Sequence, residues 1–66
     1  SGTTFQALLD DMRAQMAKQL LLDTRLPIAR IAAAVGYEDP TIFSRAFARW
    51  TGRTPSEFRA KLVARA

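Results

Sequence analysis

One glycine, Gly36, separates two runs that each read as a helix, and this arrangement constrains the chain more than any other feature. The run before it opens at Pro27 and places Ile28, Ile31, Ala32 and Val35 on one stripe. Ala29, Ala33 and Ala34 fill the remaining positions; they favour helix and let a second helix approach closely. The run after it opens on Asp39-Pro40, an N-cap acid followed by a proline at the first helical position, where its missing N–H costs nothing. Gly36 itself supplies the positive φ that ends the first run, and Tyr37 is placed to pack under the turn. Two helices joined by about four residues, one of them glycine, have the spacing of a helix-turn-helix.

The second of these helices has two distinct sides. On a wheel of about 100° per residue, Phe43, Ala46, Phe47 and Trp50 share one apolar sector, Thr41, Arg45 and Ala48 point away from it, and Ile42, Ser44 and Arg49 lie on the flanks. An aromatic stripe at helical spacing belongs to a core before it serves as a base-stacking platform, so Phe43, Phe47 and Trp50 are expected inside.

Two further helices flank the pair. Upstream, Thr3 and Gln6 fit a capping box, with Thr3 as N-cap. Phe5, Leu8, Leu9, Met12, Met16, Leu20 and Leu21 then recur at helical spacing, which predicts a helix from about Thr4 to Asp23, with Asp10 and Asp11 early and Lys18 late as the helix dipole prefers. Such a helix is long for its domain, so part of its apolar face is expected to find nothing in this chain to pack against. Downstream, Gly52 ends the third helix, and Thr54-Pro55-Ser56-Glu57 opens a fourth with a second capping box. Phe58 and Leu62 should face inward, leaving Arg59, Lys61 and Arg65 to solvent or phosphate. The expected fold class is therefore all-α. Ser1-Gly2, with no Met, reads as the remnant of an expression tag.

Composition removes several classes of function. Sixty-six residues make one domain at most, with little room for a deep cleft. Cysteine and histidine are both absent, so there is no thiolate site, no imidazole ligand and no histidine base for Ser44 or Ser56. No glycine-rich loop is present to hold a phosphate. Catalysis, a bound metal and a cofactor are accordingly not expected. No apolar run approaches the roughly 18 residues that a membrane span requires, and a cytoplasmic location is expected.

The charge is polarised. Residues 1–39 carry four Lys/Arg against five Asp/Glu, a net −1, whereas residues 40–66 carry six against Glu57 alone, a net +5. A basic half of this kind fits a polyanionic partner, or else a solvated surface. The outward side of the third helix suits the major groove of double-stranded DNA. Thr41, Ser44 and Ala48 are short enough to allow approach, Arg45 can reach guanine O6 and N7, and Ile42 can meet a thymine methyl group. The competing role for Arg45 is an ion pair with Glu38 or Asp39.

The chain resembles the AraC/XylS family of bacterial transcription regulators. The matching run is Ile28, Ile31-Ala32, Val35-Gly36-Tyr37, Asp39, Phe43-Ser44-Arg45, Phe47, Arg49-Trp50, Gly52, Thr54-Pro55 and Phe58-Arg59. Upstream, Phe5, Leu9, Arg13, Ala17 and Leu20-Leu21 are similar to the family's linker helix. The family often places Ser and Glu where Pro27 and Arg30 stand here, so the usual capping box of that helix is absent. Beyond the tag remnant at 1–2, the resemblance implies a linker helix over 3–24 and, over 25–66, a helix-turn-helix unit with a C-terminal helix: four helices in all, a homeodomain-like three-helix core behind a long N-terminal linker. It implies DNA as partner, with a first helix-turn-helix and an effector or dimerisation domain elsewhere in the parent protein. Phe5, Leu8, Leu9 and Met12 lie at the end of the linker helix that packs on that first unit in the family, and are then expected to be partly exposed or covered by a symmetry-related or dimer partner. Base readout is then expected from Arg45, Thr41 and Ile42, and phosphate contacts from Ser44, Arg30, Arg49, Arg53 and Arg59. The alternative function is a protein-interaction module working through the apolar face of the first helix.

Overall fold

A computed structural model describes residues 4–65, and the side chains of residues 4–61. It contains four helices: α1 (Phe5–Asp23), α2 (Ile28–Ala34), α3 (Pro40–Thr51) and α4 (Pro55–Arg65). Both α1 and α3 touch each of the other three helices. The core lies where they meet: Ala17 and Leu21 from α1, Ile31 and Ala32 from α2, Val35 at its end, and Phe43 and Phe47 from α3. Trp50 and Phe58 pack against its edge, and Phe47 meets Phe58 edge to face, with ring centres 5.5 Å apart. No polar or charged residue is buried among those described.

The helix ends follow from local chemistry. Asp39 accepts a hydrogen bond from the Thr41 amide at 2.8 Å, and Pro40 occupies the first turn of α3. The Thr54 hydroxyl accepts from the Glu57 amide at 3.2 Å, while the Glu57 carboxylate accepts from the Thr54 amide at 3.0 Å, closing the expected capping box of α4. Gly36 and Gly52 are the positive-φ glycines, at 96° and 85°. At the end of α2 the Tyr37 amide donates to the Ala32 carbonyl at 2.8 Å and the Gly36 amide to that of Ala33 at 3.1 Å. This is a Schellman motif, whose outer turn glycine closes without steric cost.

Three expectations for α1 are corrected. Its N-cap is Thr4, whose hydroxyl accepts from the Ala7 amide at 3.0 Å, and Gln6 turns along the helix to donate to Asp10; Thr3 lies outside the described residues. Asp10, Asp11 and Lys18 fall outside the terminal turns, so they do not complement the dipole there. The buried face is Ala14, Ala17 and Leu21; of the expected apolar run only Leu21 is buried, with Leu20 packed against the core. Phe5, Leu8, Met12 and Met16 are exposed and Leu9 is half-buried. The physical reason is approach distance: alanine lets α3 and α4 close on α1, whereas phenylalanine and methionine would hold them off. The exposure expected of Phe5, Leu8 and Met12 is therefore observed. The inward orientation expected of Leu62 and the outward one of Arg65 concern side chains outside those described.

Candidate nucleic-acid interface

α3 owes its two faces to periodicity, and the structure keeps them. Phe43 and Phe47 are fully buried and Ala46 nearly so, while Thr41, Ile42, Arg45 and Arg49 are exposed on the other side. Ile42 retains 53% of its surface, a large value for an aliphatic side chain of a folded helix. Trp50 is half-buried rather than enclosed, and its indole N–H is buried without a hydrogen-bond partner. Ser44 and Ala48 are half-buried, so the open sector is centred on Arg45, Arg49 and Ile42 and not symmetrically about Arg45 and Ala48.

This face is held by the turn before it. The Tyr37 ring centre lies 5.8 Å from that of Phe43 and 6.0 Å from that of Trp50, so the residue that closes the Schellman turn also braces the inner side of α3. On its other side Tyr37 meets α1, where the Arg13 guanidinium stands over the ring at 5.6 Å.

Of the cationic candidates, Arg30 on α2, Arg45 and Arg49 on α3, and Arg53 in the following turn are exposed. Asp39 caps α3 by accepting from the Thr41 amide. Arg53 lies close enough to Glu57 to contribute to lowering its pKa, behind the larger effects of the Thr54 amide and hydroxyl. Arg59 differs from the rest. It is half-buried, and its guanidinium donates to the Leu26 carbonyl at 2.7 Å and to the Thr24 carbonyl at 3.3 Å. These partners stand 33 and 35 residues away, so no sequence pattern announces them. The contact of Arg13 with Tyr37, 24 positions apart, has no local sequence signal either.

Among the described residues no group of acidic side chains is placed to hold a metal ion, and no helix is long and apolar enough to cross a membrane. The arrangement offers a cationic helix face with one large apolar contact, backed by an aromatic core.

Comparison with known proteins places this geometry. A family model described as a helix-turn-helix domain matches residues 1–61. The ornithine utilization regulator of Pseudomonas aeruginosa is 48% identical over 58 residues, which are 88% of this chain and 17% of that protein. The arabinose operon regulatory protein of Escherichia coli is 51% identical over 59 residues, 89% of this chain and 20% of that one. Among solved structures, the C-terminal domain of AraT, a response regulator from Geobacillus stearothermophilus, superposes with a TM-score of 0.87 at 42% identity. That match covers 91% of this chain and 50% of the other. The C-terminal domain of the two-component response regulator yesN from Fusobacterium nucleatum gives 0.85 at 40% identity, covering 88% and 56%. The chain thus spans about a fifth of the length of the curated relatives it matches.

Proposed function

Because the chain belongs to the AraC-type helix-turn-helix family of DNA-binding transcription regulators, we propose that it reads the major groove of double-stranded DNA with α3. The observation that carries this reading is the outward face of α3: Thr41, Ile42, Arg45 and Arg49 are exposed directly behind a buried Phe43 and Phe47. Arg45 is the guanine reader, with Thr41 and Ile42 beside it. Arg30, Arg49, Arg53 and the half-buried Ser44 contact phosphates, which set register and supply salt-dependent affinity without sequence information. The chain is a binding unit and not a catalyst, needs no cofactor, and works in the bacterial cytoplasm at the chromosome.

The relatives' greater length supports further partners. The exposed side chains of Phe5, Leu8, Met12 and Met16 form a contiguous apolar surface on α1, of the kind that marks an interface. It is the seat for a preceding helix-turn-helix unit of the parent protein, beyond which an effector or dimerisation domain lies. With one recognition helix the chain by itself should bind a random-sequence duplex weakly, with a Kd of about 10⁻⁴ to 10⁻⁶ M at physiological salt.

A salt series with that duplex tests the reading. The logarithm of the affinity should fall against the logarithm of salt with a slope of about −0.9 per phosphate contacted. A flat response would favour apolar docking through α1 as the working surface. In the parent regulator on its own operator, Arg45→Ala should cost about 1–3 kcal/mol and relax preference at one base pair. Equal losses on operator and scrambled DNA would make Arg45 a phosphate clamp.

A further inference from the structure

We propose that Arg59 is a positioning residue for recognition: it grips the α1–α2 connection and so sets where α2, and through it α3, stands. The proposal rests on the DNA-binding reading above and replaces a phosphate contact by Arg59 with a contact inside the domain. Three observations carry it.

The first is the partners themselves. One guanidinium spans two backbone carbonyls, Leu26 at 2.7 Å and Thr24 at 3.3 Å. Thr24 is the C-cap of α1 and Leu26 precedes Pro27, the N-cap of α2. A single side chain on α4 therefore holds both the exit of one helix and the entrance of the next. Among the described residues these are the only side-chain hydrogen bonds that link positions far apart in sequence; the others connect residues at most four apart.

The second is that the entrance of α2 has no capping side chain; besides Arg59 it is held by Ile28 packing on the core and by the Leu26 amide donating to the Thr24 hydroxyl at 3.2 Å. Pro27 makes no side-chain cap, and α2 is only 7 residues long. The amides of Arg30 and Ile31 both donate to the Pro27 carbonyl, at 2.9 and 3.1 Å, so the place of that carbonyl sets the start of the helix. A helix of two turns without a capping side chain has little stability of its own. The Arg59 fork holds the adjoining peptide from outside.

The third is the route from there to the DNA-facing side. Ile31, Ala32 and Val35 of this segment lie in the core with Phe43 and Phe47, and the turn closing α2 presents Tyr37 against Phe43. A displaced α2 entrance is thus transmitted by packed side chains to the inner face of α3.

The fork chemistry supplies the test. A planar guanidinium can hold two carbonyls at once, whereas an ammonium is a point charge that serves a phosphate well and cannot reproduce the fork. Arg59→Lys and Arg59→Ala are compared with the unaltered chain for binding to a random-sequence duplex across a salt series, at a temperature where circular dichroism shows each to be folded. Amide exchange of Arg30 and Ile31 is followed in the same proteins without DNA. Positioning predicts that both variants lose affinity to a similar extent, several-fold or more, with the salt slope unchanged. It also predicts that the α2 amides exchange about tenfold faster while those in the middle of α3 do not. Near-unaltered binding by Arg59→Lys, with Arg59→Ala losing about 0.9 of slope, would make Arg59 a phosphate contact and overturn the proposal. Unchanged binding by both folded variants would also overturn it, leaving a purely structural tie. If the unaltered chain shows no salt-dependent binding at all, the DNA-binding reading fails, and with it the recognition role; faster α2 exchange in the variants would then establish only the tie.

Discussion

The Arg13 guanidinium stands 5.6 Å above the centre of the Tyr37 ring, and this pair joins the long α1 to the turn that launches α3. Tyr37 also meets the rings of Phe43 and Trp50, so one side chain connects three elements. Tyr37→Leu should cost about 1–3 kcal/mol, since it removes two aromatic contacts and the cation–π pair. Arg13→Ala should cost about 0.5–1 kcal/mol and much less in the Tyr37→Leu background. Urea unfolding of the two single variants and the double variant gives the coupling; additive losses would show that the two side chains do not interact.

The two sides of α1 should respond in opposite ways to substitution. Ala17 has no exposed surface, whereas Met12 keeps 61% of its own. Ala17→Leu forces side-chain volume into a closed contact and should destabilise by about 1–3 kcal/mol or more. Met12→Gln should stay within about 0.5 kcal/mol and improve solubility. Denaturant midpoints decide this, and a large loss at Met12 would place that face inside the fold.

Gly36 is required for its backbone and not for space. A Cβ there would come no closer than 3.9 Å to the Arg13 guanidinium, an ordinary contact, but φ is +96°. Gly36→Ala should therefore cost about 1–2 kcal/mol, and Gly36→Asn less, because asparagine tolerates the left-handed region better. Thermal unfolding of the two variants ranks them; equal midpoints for Gly36→Ala and the unaltered chain would refute the strain.

Acid should loosen α4 first at its N-terminus. Bonds from the Thr54 amide and hydroxyl, then the charge of Arg53, hold the Glu57 carboxyl below its ordinary pKa of 4.5. A group whose folded pKa is lowered stabilises the fold above the ordinary value and loses that contribution as pH falls through the lowered one. The Thr54 amide should thus be protected from exchange at neutral pH and lose protection as pH falls below about 4.5. Glu57→Gln should remove most of this pH dependence; a Thr54 amide equally protected at low pH would show that the carboxylate form is not what closes the box.

Local chemistry made much of this protein legible in its sequence. Asp39-Pro40, Gly36, Gly52 and the Thr54–Glu57 box mark helix ends because each acts on backbone groups within a few residues. The inward side of α3 was readable because Phe43 and Phe47 share one sector of the helix with Ala46 and Trp50, opposite Thr41 and Arg45. The first N-cap was misplaced by one residue because Thr3 and Thr4 offer the same hydroxyl, and only the helix register chooses Thr4. α1 was ambiguous for a deeper reason. It carries apolar residues on two sides, Phe5, Met12 and Met16 on one and Ala14, Ala17 and Leu21 on the other. Periodicity favours the larger set, but packing three helices against one rewards the smaller, since interaxial distance depends on the side chains at the contact. Arg59 shows the same limit in polar form: its charge was plain, yet its partners are carbonyls of residues far away in sequence, brought within 2.7 and 3.3 Å only when α4 docks beside the α1–α2 connection.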